Sequence, residues 1–432
     1  MPKNNLRWMP LDNAAKIYPA ARRRNWSNVF RLSVTLKETV DPTILEQALA
    51  QTVPRFPSIA VRLRRGLFWY YLEQLSQPPQ IRQESSYPLT RMSKQETRQC
   101  ALRVIVYQNR IAVEFFHSLT DGNGALIFLK TLTAAYLECR YGVQIPCRDG
   151  VLDRKEAPSP QELEDSFPKY AGTMGVSRQE KNSWQLSGTP EVMGFLHNTC
   201  LELSSEAVRQ KAHQYGVSVT AFLSAAMLEA LQQIQAQQIP DPKKRRPLKL
   251  QIPVNLRSIF PSSTLRNFAL YTIPEILPRL GHYSFPELCQ TVHHHMGQTV
   301  NAKYLSRMIH TNVSNEQLLA VRILPLFVKN IIMKAVFDAV GEITSCLSLS
   351  NLGQVRVPEV MEAYIEKMDF ILGVKAIAPY NCGVLSFGER MYINFIRNTQ
   401  EPLLEQQFYR VLQSHGLQVK VQSNKGGSPC TV

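Results

Sequence analysis

Apolar and polar positions alternate along NVFRLSVTLKE from residue 28, the period of a strand with one face turned to a core. The pattern then lengthens in DPTILEQALAQTVPRF, which predicts a helix capped by Asp41 with Pro42 at its first position. Two-residue periodicity returns in SIAVRLRRGLFWYYLE, a hairpin about Arg65-Gly66, and in CALRVIVYQNRIAVEFFH, a second hairpin about Gln108-Asn109. The outgoing strand of that second hairpin ends on His117, with Ile111, Val113, Phe115 and His117 on one face. Next comes DGNG, which predicts a turn with positive φ, followed by a helix with Ala125, Leu126, Leu129, Leu132 and Tyr136 at helical spacing up to Gly142.

From about 148 to 190 the chain becomes polar and rich in proline with no lasting period, which marks a crossover linker that lines or covers a site. A second half then repeats the mixture: FLHNTCLEL and LKLQIPVNLRSIF as strands, SSEAVRQKAHQYG and SVTAFLSAAMLEALQQIQAQQ as helices, helical stretches over 284–311 and 316–340, three strand-like segments from 345 to 398 and a terminal helix over 401–415. Runs of adjacent strands do not suit regular βαβ alternation, so the expected class is α+β, two lobes of mixed sheets flanked by helices. The corresponding division is an N-terminal lobe over 1–150, a linker over 151–190 and a C-terminal lobe over 191–432.

Composition narrows the function classes. With 44% hydrophobic and 19% charged residues the chain has the makeup of a globular protein with ample core. It has no run of eighteen apolar residues and no apolar leader in MPKNNLRWMPLDNAAKIYP, and a cytoplasmic location is the expectation. Eight cysteines without a CxxC pair read as reduced and structural, and His293, His294 and His295, consecutive on one helix, diverge too far to share a metal, so no metal is expected. The formal charge of +15, with clusters at Arg22–Arg24, at Arg62, Arg64 and Arg65, and at Lys243–Arg246, calls for an anionic partner: a phosphorylated cosubstrate such as coenzyme A, an acidic carrier protein or an anionic membrane surface. Nucleic acid is set aside because no recognition motif accompanies the charge.

The chemistry concentrates on residues 117–122. Imidazole titrates nearest neutrality, which suits it to take a proton from a hydroxyl or amine nucleophile. Asp121, four residues on, can orient the ring directly or pair with a distant arginine and fix the loop; spacing alone leaves both open.

His117-Ser-Leu-Thr-Asp121-Gly122 resembles the HxxxDG motif of chloramphenicol acetyltransferase, peptide-synthetase condensation domains, wax ester synthases, alcohol acetyltransferases and plant BAHD acyltransferases. Three further segments are similar to the same superfamily and stand in its order: Pro253-Val-Asn255-Leu-Arg257 with Asn267-Phe268, Ser350-Asn351-Leu352-Gly353, and Cys382 to Gly388 with Ile393-Asn394-Phe395. The resemblance runs from Pro10-Leu11-Asp12 to the terminal helix and looks most like the bacterial alcohol acetyltransferase branch. Arg266 stands where relatives carry a glycine, and Phe116 where many carry a second histidine.

The resemblance implies two chloramphenicol-acetyltransferase-like lobes with a channel between them and His117 at its middle as general base. It implies an acyl thioester cosubstrate, acyl-CoA or an acyl carrier protein, with no bound cofactor, and an alcohol, amine or lipid acceptor. It further implies that Asp121 and Gly122 shape the loop, that Arg257 is Asp121's partner, and that Ser350, Asn351 and Ser386 are candidates for the oxyanion donor or channel wall. Carrier-protein-dependent condensation or lipid tailoring is the alternative within the fold. A non-catalytic acyl-ligand or protein binder is the alternative outside enzymology, against which the intact His117, Asp121, Gly122 and Arg257 speak.

Overall fold

The computed structural model describes residues 8–22, 28–84, 87–176, 182–191, 194–318, 323–336, 344–375 and 378–424. Its strands in chain order are β1 (Trp8–Pro10), β2 (Val29–Leu36), β3 (Val61–Arg65), β4 (Tyr70–Gln74), β5 (Ile81–Gln83), β6 (Leu102–Tyr107) and β7 (Arg110–Phe116), then β8 (His197–Ser204), β9 (Leu248–Asn255), β10 (Ala269–Thr272), β11 (Glu275–Ile276), β12 (Leu347–Val355), β13 (Ile365–Ile371), β14 (Tyr380–Phe387), β15 (Arg390–Arg397) and β16 (Lys420–Ser423). They form a mixed five-stranded sheet in the order β13-β2-β7-β6-β5 and a mixed eight-stranded sheet in the order β10-β9-β12-β14-β15-β8-β16, with β11 also on β9. A small antiparallel sheet, β1-β4-β3, stands beside the first. The class is α+β, two sheets each flanked by helices.

Local sequence explains the elements around the first sheet. The helix Pro42–Thr52 starts where Asp41 accepts hydrogen bonds from Thr43 N and Ile44 N at 2.8 and 3.3 Å, and it buries Leu45, Ala48, Leu49 and Thr52, one face at helical spacing. The helix Gly122–Tyr141 ends at Gly142, whose φ of 68° is the left-handed cap that glycine adopts without strain. In the second half, the helix Val219–Gln238 is buried around most of its circumference, between the eight-stranded sheet and the helices Phe285–Thr299 and Leu403–Ser414.

Two boundaries differ from the periodicity. The helical stretch over 284–311 is two helices, Phe285–Thr299 and Ala302–Gln317, because Asn301 turns extended and accepts a hydrogen bond from Tyr304 N at 2.9 Å, starting a new helix. Of the stretch 316–340, the helix Leu326–Val336 is described, while 319–322 and 337–340 lie outside the described residues, as do Arg23, Arg24 and Cys430.

A strand and the linker help to stitch the halves together. Strand β13, late in the sequence, pairs antiparallel with β2 at the edge of the first sheet, Met368 opposite Val34 and Phe370 opposite Leu32. The linker segment around 160–167 is tied to both sides: Glu162 takes a two-pronged hydrogen bond from Arg55 at 2.5 and 2.8 Å, and its carbonyl accepts from Leu265 N at 2.9 Å.

Candidate active site

The loop after β7 is held before any chemistry is considered. His117 N–H donates to the Asn28 carbonyl at 2.7 Å, fixing the histidine as the chain leaves the sheet. Asp121 is the N-cap of the helix that follows: its Oδ1 accepts from Asn123 N and Gly124 N at 3.1 and 3.2 Å. The helix therefore begins at Gly122 rather than Ala125, and neither Gly122 nor Gly124 takes a positive φ, contrary to the turn expected from DGNG. The glycine requirement is steric instead. A Cβ on Gly124 would lie 2.2 Å from the Leu265 carbonyl oxygen, and one on Gly122 would meet a Leu352 methyl at 2.8 Å.

The other oxygen of Asp121 reaches the second half of the chain. Arg257 Nη1 donates to Asp121 Oδ2 at 2.7 Å, and Phe268 N donates to the same oxygen at 2.8 Å. Arg257 is held in turn by the carbonyls of Thr264 (Nε, 2.9 Å) and Arg266 (Nη2, 2.6 Å). Of the two roles open to Asp121, the structure takes the architectural one: the carboxylate pins the strand-to-helix loop to the segment after β9.

The imidazole has another partner. His117 Nδ1 lies 3.2 Å from Asn267 Oδ1, while Asn267 Nδ2 donates to Asp12 Oδ2 at 3.2 Å. With the amide nitrogen engaged on Asp12, the amide oxygen is left to accept, so the ring carries its proton on Nδ1 and its Nε2 lone pair makes no hydrogen bond among the described residues. Burial lowers the His117 pKa below 6.5, partly offset by a hydrogen bond to its own backbone, by the nearby Asp121 carboxylate and by the Asn267 bond, so the neutral ring prevails at pH 7. Tyr18 stacks on the ring at 4.5 Å between centroids, and Phe30 from β2 leans on it at 4.9 Å. The imidazole sits at the seam of the two halves, clamped by aromatic side chains on one side and an amide on the other.

Asp12 is fully buried, and burial pushes its pKa up to about 6 against the opposing pull of Arg266, whose Nε is 3.6 Å away. Arg266 also donates to the Pro10 carbonyl at 2.6 Å and the Leu163 carbonyl at 3.3 Å. An arginine in place of the glycine of relatives thus supplies the charge that faces Asp12. Asp12 and Tyr18 carried no chemical role in the sequence reading, since neither belongs to a periodic element or a spaced motif. The functional signal for Asp12 was its place at the start of the superfamily resemblance.

The three oxyanion candidates separate. Asn351 is satisfied locally, donating to Thr220 Oγ1 at 3.1 Å and accepting from Gly353 N at 2.8 Å, where β12 bulges between Asn351 and Gln354. Ser350 and Ser386 are buried on the neighbouring strands β12 and β14, and their hydroxyls make no hydrogen bond among the described residues. The β12 bulge itself reaches the motif, through Leu352 against Gly122. Direct hydrogen bonds from Ser350, Asn351 or Ser386 to His117 are absent among the described residues.

Neither a family model nor a curated protein matches the sequence. Solved structures do match. Fusarium graminearum TRI101, complexed with coenzyme A and deoxynivalenol, aligns at a TM-score of 0.62 and 10% identity over 94% of this chain and 97% of its own. Polyketide synthase associated protein 5 from Mycobacterium tuberculosis aligns at 0.61 and 14% over 94% and 97%. The wax ester synthase/diacylglycerol acyltransferase from Marinobacter aquaeolei VT8 aligns at 0.55 and 13% over 94% and 100%. This chain has the chloramphenicol acetyltransferase-like fold. Within that fold, the residues around His117 come from three separate parts of the sequence: the stretch from Asp12 into β2, the β7 loop and the segment after β9.

Proposed function

We propose that this chain transfers an acyl group from a thioester to a hydroxyl or amine acceptor, with His117 as the general base. One observation carries the reading: an imidazole held neutral by burial, with Nδ1 engaged on Asn267 and Nε2 without a hydrogen bond among the described residues, at the junction of two lobes of this fold. In the proposed step Nε2 takes the acceptor proton as the acceptor oxygen or nitrogen bonds to the thioester carbon. The carbonyl becomes a tetrahedral oxyanion. Its collapse breaks the carbon–sulfur bond, and the leaving thiolate recovers the proton from the imidazolium. A positioned base of this kind supplies about 10² to 10⁴ in rate.

Coenzyme A is the proposed carrier of the acyl group, in line with its presence in the complex of the similar TRI101 structure and with the +15 charge of this chain. A carrier-protein thioester is the second reading, favoured by the likeness to a polyketide synthase associated protein. Ser350 and Ser386, with hydroxyls uncommitted among the described residues, are the proposed oxyanion donors. The test is release of free thiol from acyl-CoA thioesters of increasing chain length, with mixed alcohols and amines, by the natural chain and by His117→Ala. Acceptor-dependent release that vanishes in the variant supports the reading. Equal release by both proteins refutes His117 as base, and release only from an acylated carrier protein moves the assignment to the second donor.

A further inference from the structure

The exposed apolar side chains are unevenly placed. The β3–β4 hairpin turns at its tip through Leu67 and Phe68, which are 72% and 42% exposed. Against that tip lies the helix Leu326–Val336: Leu326 N donates to the Leu67 carbonyl at 2.9 Å, Lys329 Nζ to the Phe68 carbonyl at 3.0 Å, and Asn330 Nδ2 to the Tyr70 hydroxyl at 3.1 Å. The same helix turns Phe327 and Ile331, at 59% and 68% exposure and one helical turn apart, to the outside together with Ile332. Monomeric surfaces tolerate scattered apolar residues, whereas a contiguous group of this kind marks an interaction site. Neither the helix nor the hairpin tip, residues 65–70, contains an acidic residue.

The rim of this apolar edge is cationic. Arg22, Arg65, Lys94 and Arg98 line one cavity of about 130 Å³ together with Tyr70 of the hairpin and Asn330 of the helix. None of these four cations pairs with a carboxylate among the described residues. The acidic side chains nearby are already engaged, Glu73 by Arg62 and Arg64, and Glu96 by Arg82 and Arg103. Arg22 donates one hydrogen bond to Thr97 Oγ1 at 3.1 Å and lies over the Phe116 ring at 4.1 Å, while its Nε and Nη2 are buried with no hydrogen-bond partner among the described residues. Buried guanidinium donors facing three further unpaired cations call for an anion with several acceptor oxygens.

Apolar side chains that project outward beside unpaired cations suit the boundary between lipid headgroups and acyl chains. We infer that the β3–β4 hairpin tip and the exposed face of the helix Leu326–Val336 dock this protein on an anionic phospholipid bilayer, with a headgroup phosphate in the cavity of Arg22, Arg65, Lys94 and Arg98. This docking is independent of the acyl-transfer reading, because it is measured as binding alone.

The experiment is flotation of the full chain with vesicles of phosphatidylcholine alone, and of phosphatidylcholine mixed with an equal amount of phosphatidylglycerol, at low and high salt. The expected result is binding to the mixed vesicles that falls with salt and is weak on the neutral ones. Arg65→Glu combined with Arg98→Glu lowers the partition at least about tenfold, since each basic residue near an anionic surface contributes about 1 kcal/mol. Phe327→Ser with Ile331→Ser lowers it by a similar factor, and Leu67→Ser with Phe68→Ser does the same from the hairpin side, so a misfolded helix variant, recognised by circular dichroism, leaves the second pair as the test. Absence of vesicle binding by the folded natural chain overturns the inference. So does equal binding to neutral vesicles. Self-association by light scattering that Phe327→Ser abolishes, without vesicle binding, overturns it in favour of a contact between copies of this chain.

Discussion

Asp121→Ala isolates the tie between the two halves. Asp121 and Arg257 are 7% and 9% exposed, so their pair lies out of bulk water. The alanine removes three things: the ion pair at 2.7 Å, the acceptor for Phe268 N and the cap on Asn123 N and Gly124 N. Stranding one partner of a buried pair costs about 3–5 kcal/mol, and loss of an N-cap about 1 kcal/mol. Arg257 keeps two backbone carbonyls, which solvate part of its charge, so the expected total stays within about 3–5 kcal/mol. Arg257→Met leaves Asp121 with three N–H donors and is expected to destabilise by about 1.5–3 kcal/mol, the range for a hydrogen bond to a charged group. In the double variant the stranded guanidinium is gone, so its loss should fall short of the sum by about 1–3 kcal/mol. Urea unfolding followed by tryptophan fluorescence closes this cycle. Single losses below about 0.5 kcal/mol, or losses that simply add, would show the pair to be worth no more than a solvent-exposed ion pair and refute the reasoning.

Other outcomes follow from the same geometry. If His117 acts as a neutral base, kcat/KM rises with pH as the ring loses its proton, and the midpoint of that acid limb lies below 6.5 because burial disfavours the imidazolium; a midpoint above 6.5 contradicts this. Asn267→Leu unpairs Nδ1 and is expected to lower kcat/KM about tenfold to a hundredfold, the equivalent of about 1.4–2.7 kcal/mol, with a change of His117 tautomer visible in ¹⁵N chemical shifts. Gly124→Ala places a methyl against the rigid Leu265 carbonyl and should destabilise by at least about 2 kcal/mol in urea.

Much of the architecture follows from local pattern. The hairpins about Arg65-Gly66 and Gln108-Asn109, the helix capped by Asp41 and the late strands over 345–398 each follow from period, cap and turn residues acting within a few positions. The Asp121–Arg257 contact was read through resemblance, and no local rule joins residues 136 positions apart. What stayed hidden is of that long-range kind. Asp12 reaches His117 through the Asn267 amide, 255 positions along the chain, and Tyr18 meets the imidazole from a helix of four residues. The role of Gly124 was misread for a related reason: a glycine demanded by a neighbouring carbonyl leaves the same letter as one demanded by a turn.

The pairing of β13 with β2 has a consequence for the birth of the molecule. Strand β2 ends at Leu36, and its edge partner is completed only at Ile371, 335 residues later. At about 5–20 residues per second, a ribosome leaves that apolar edge open for about 15–70 s. During that interval the nascent first sheet presents an unpaired template for wrong strands, including those of sister chains on the same message. Yield in cells should therefore depend on chaperone supply and growth temperature more steeply than the stability of the finished protein does, and a piece that stops before residue 365 should be recovered aggregated.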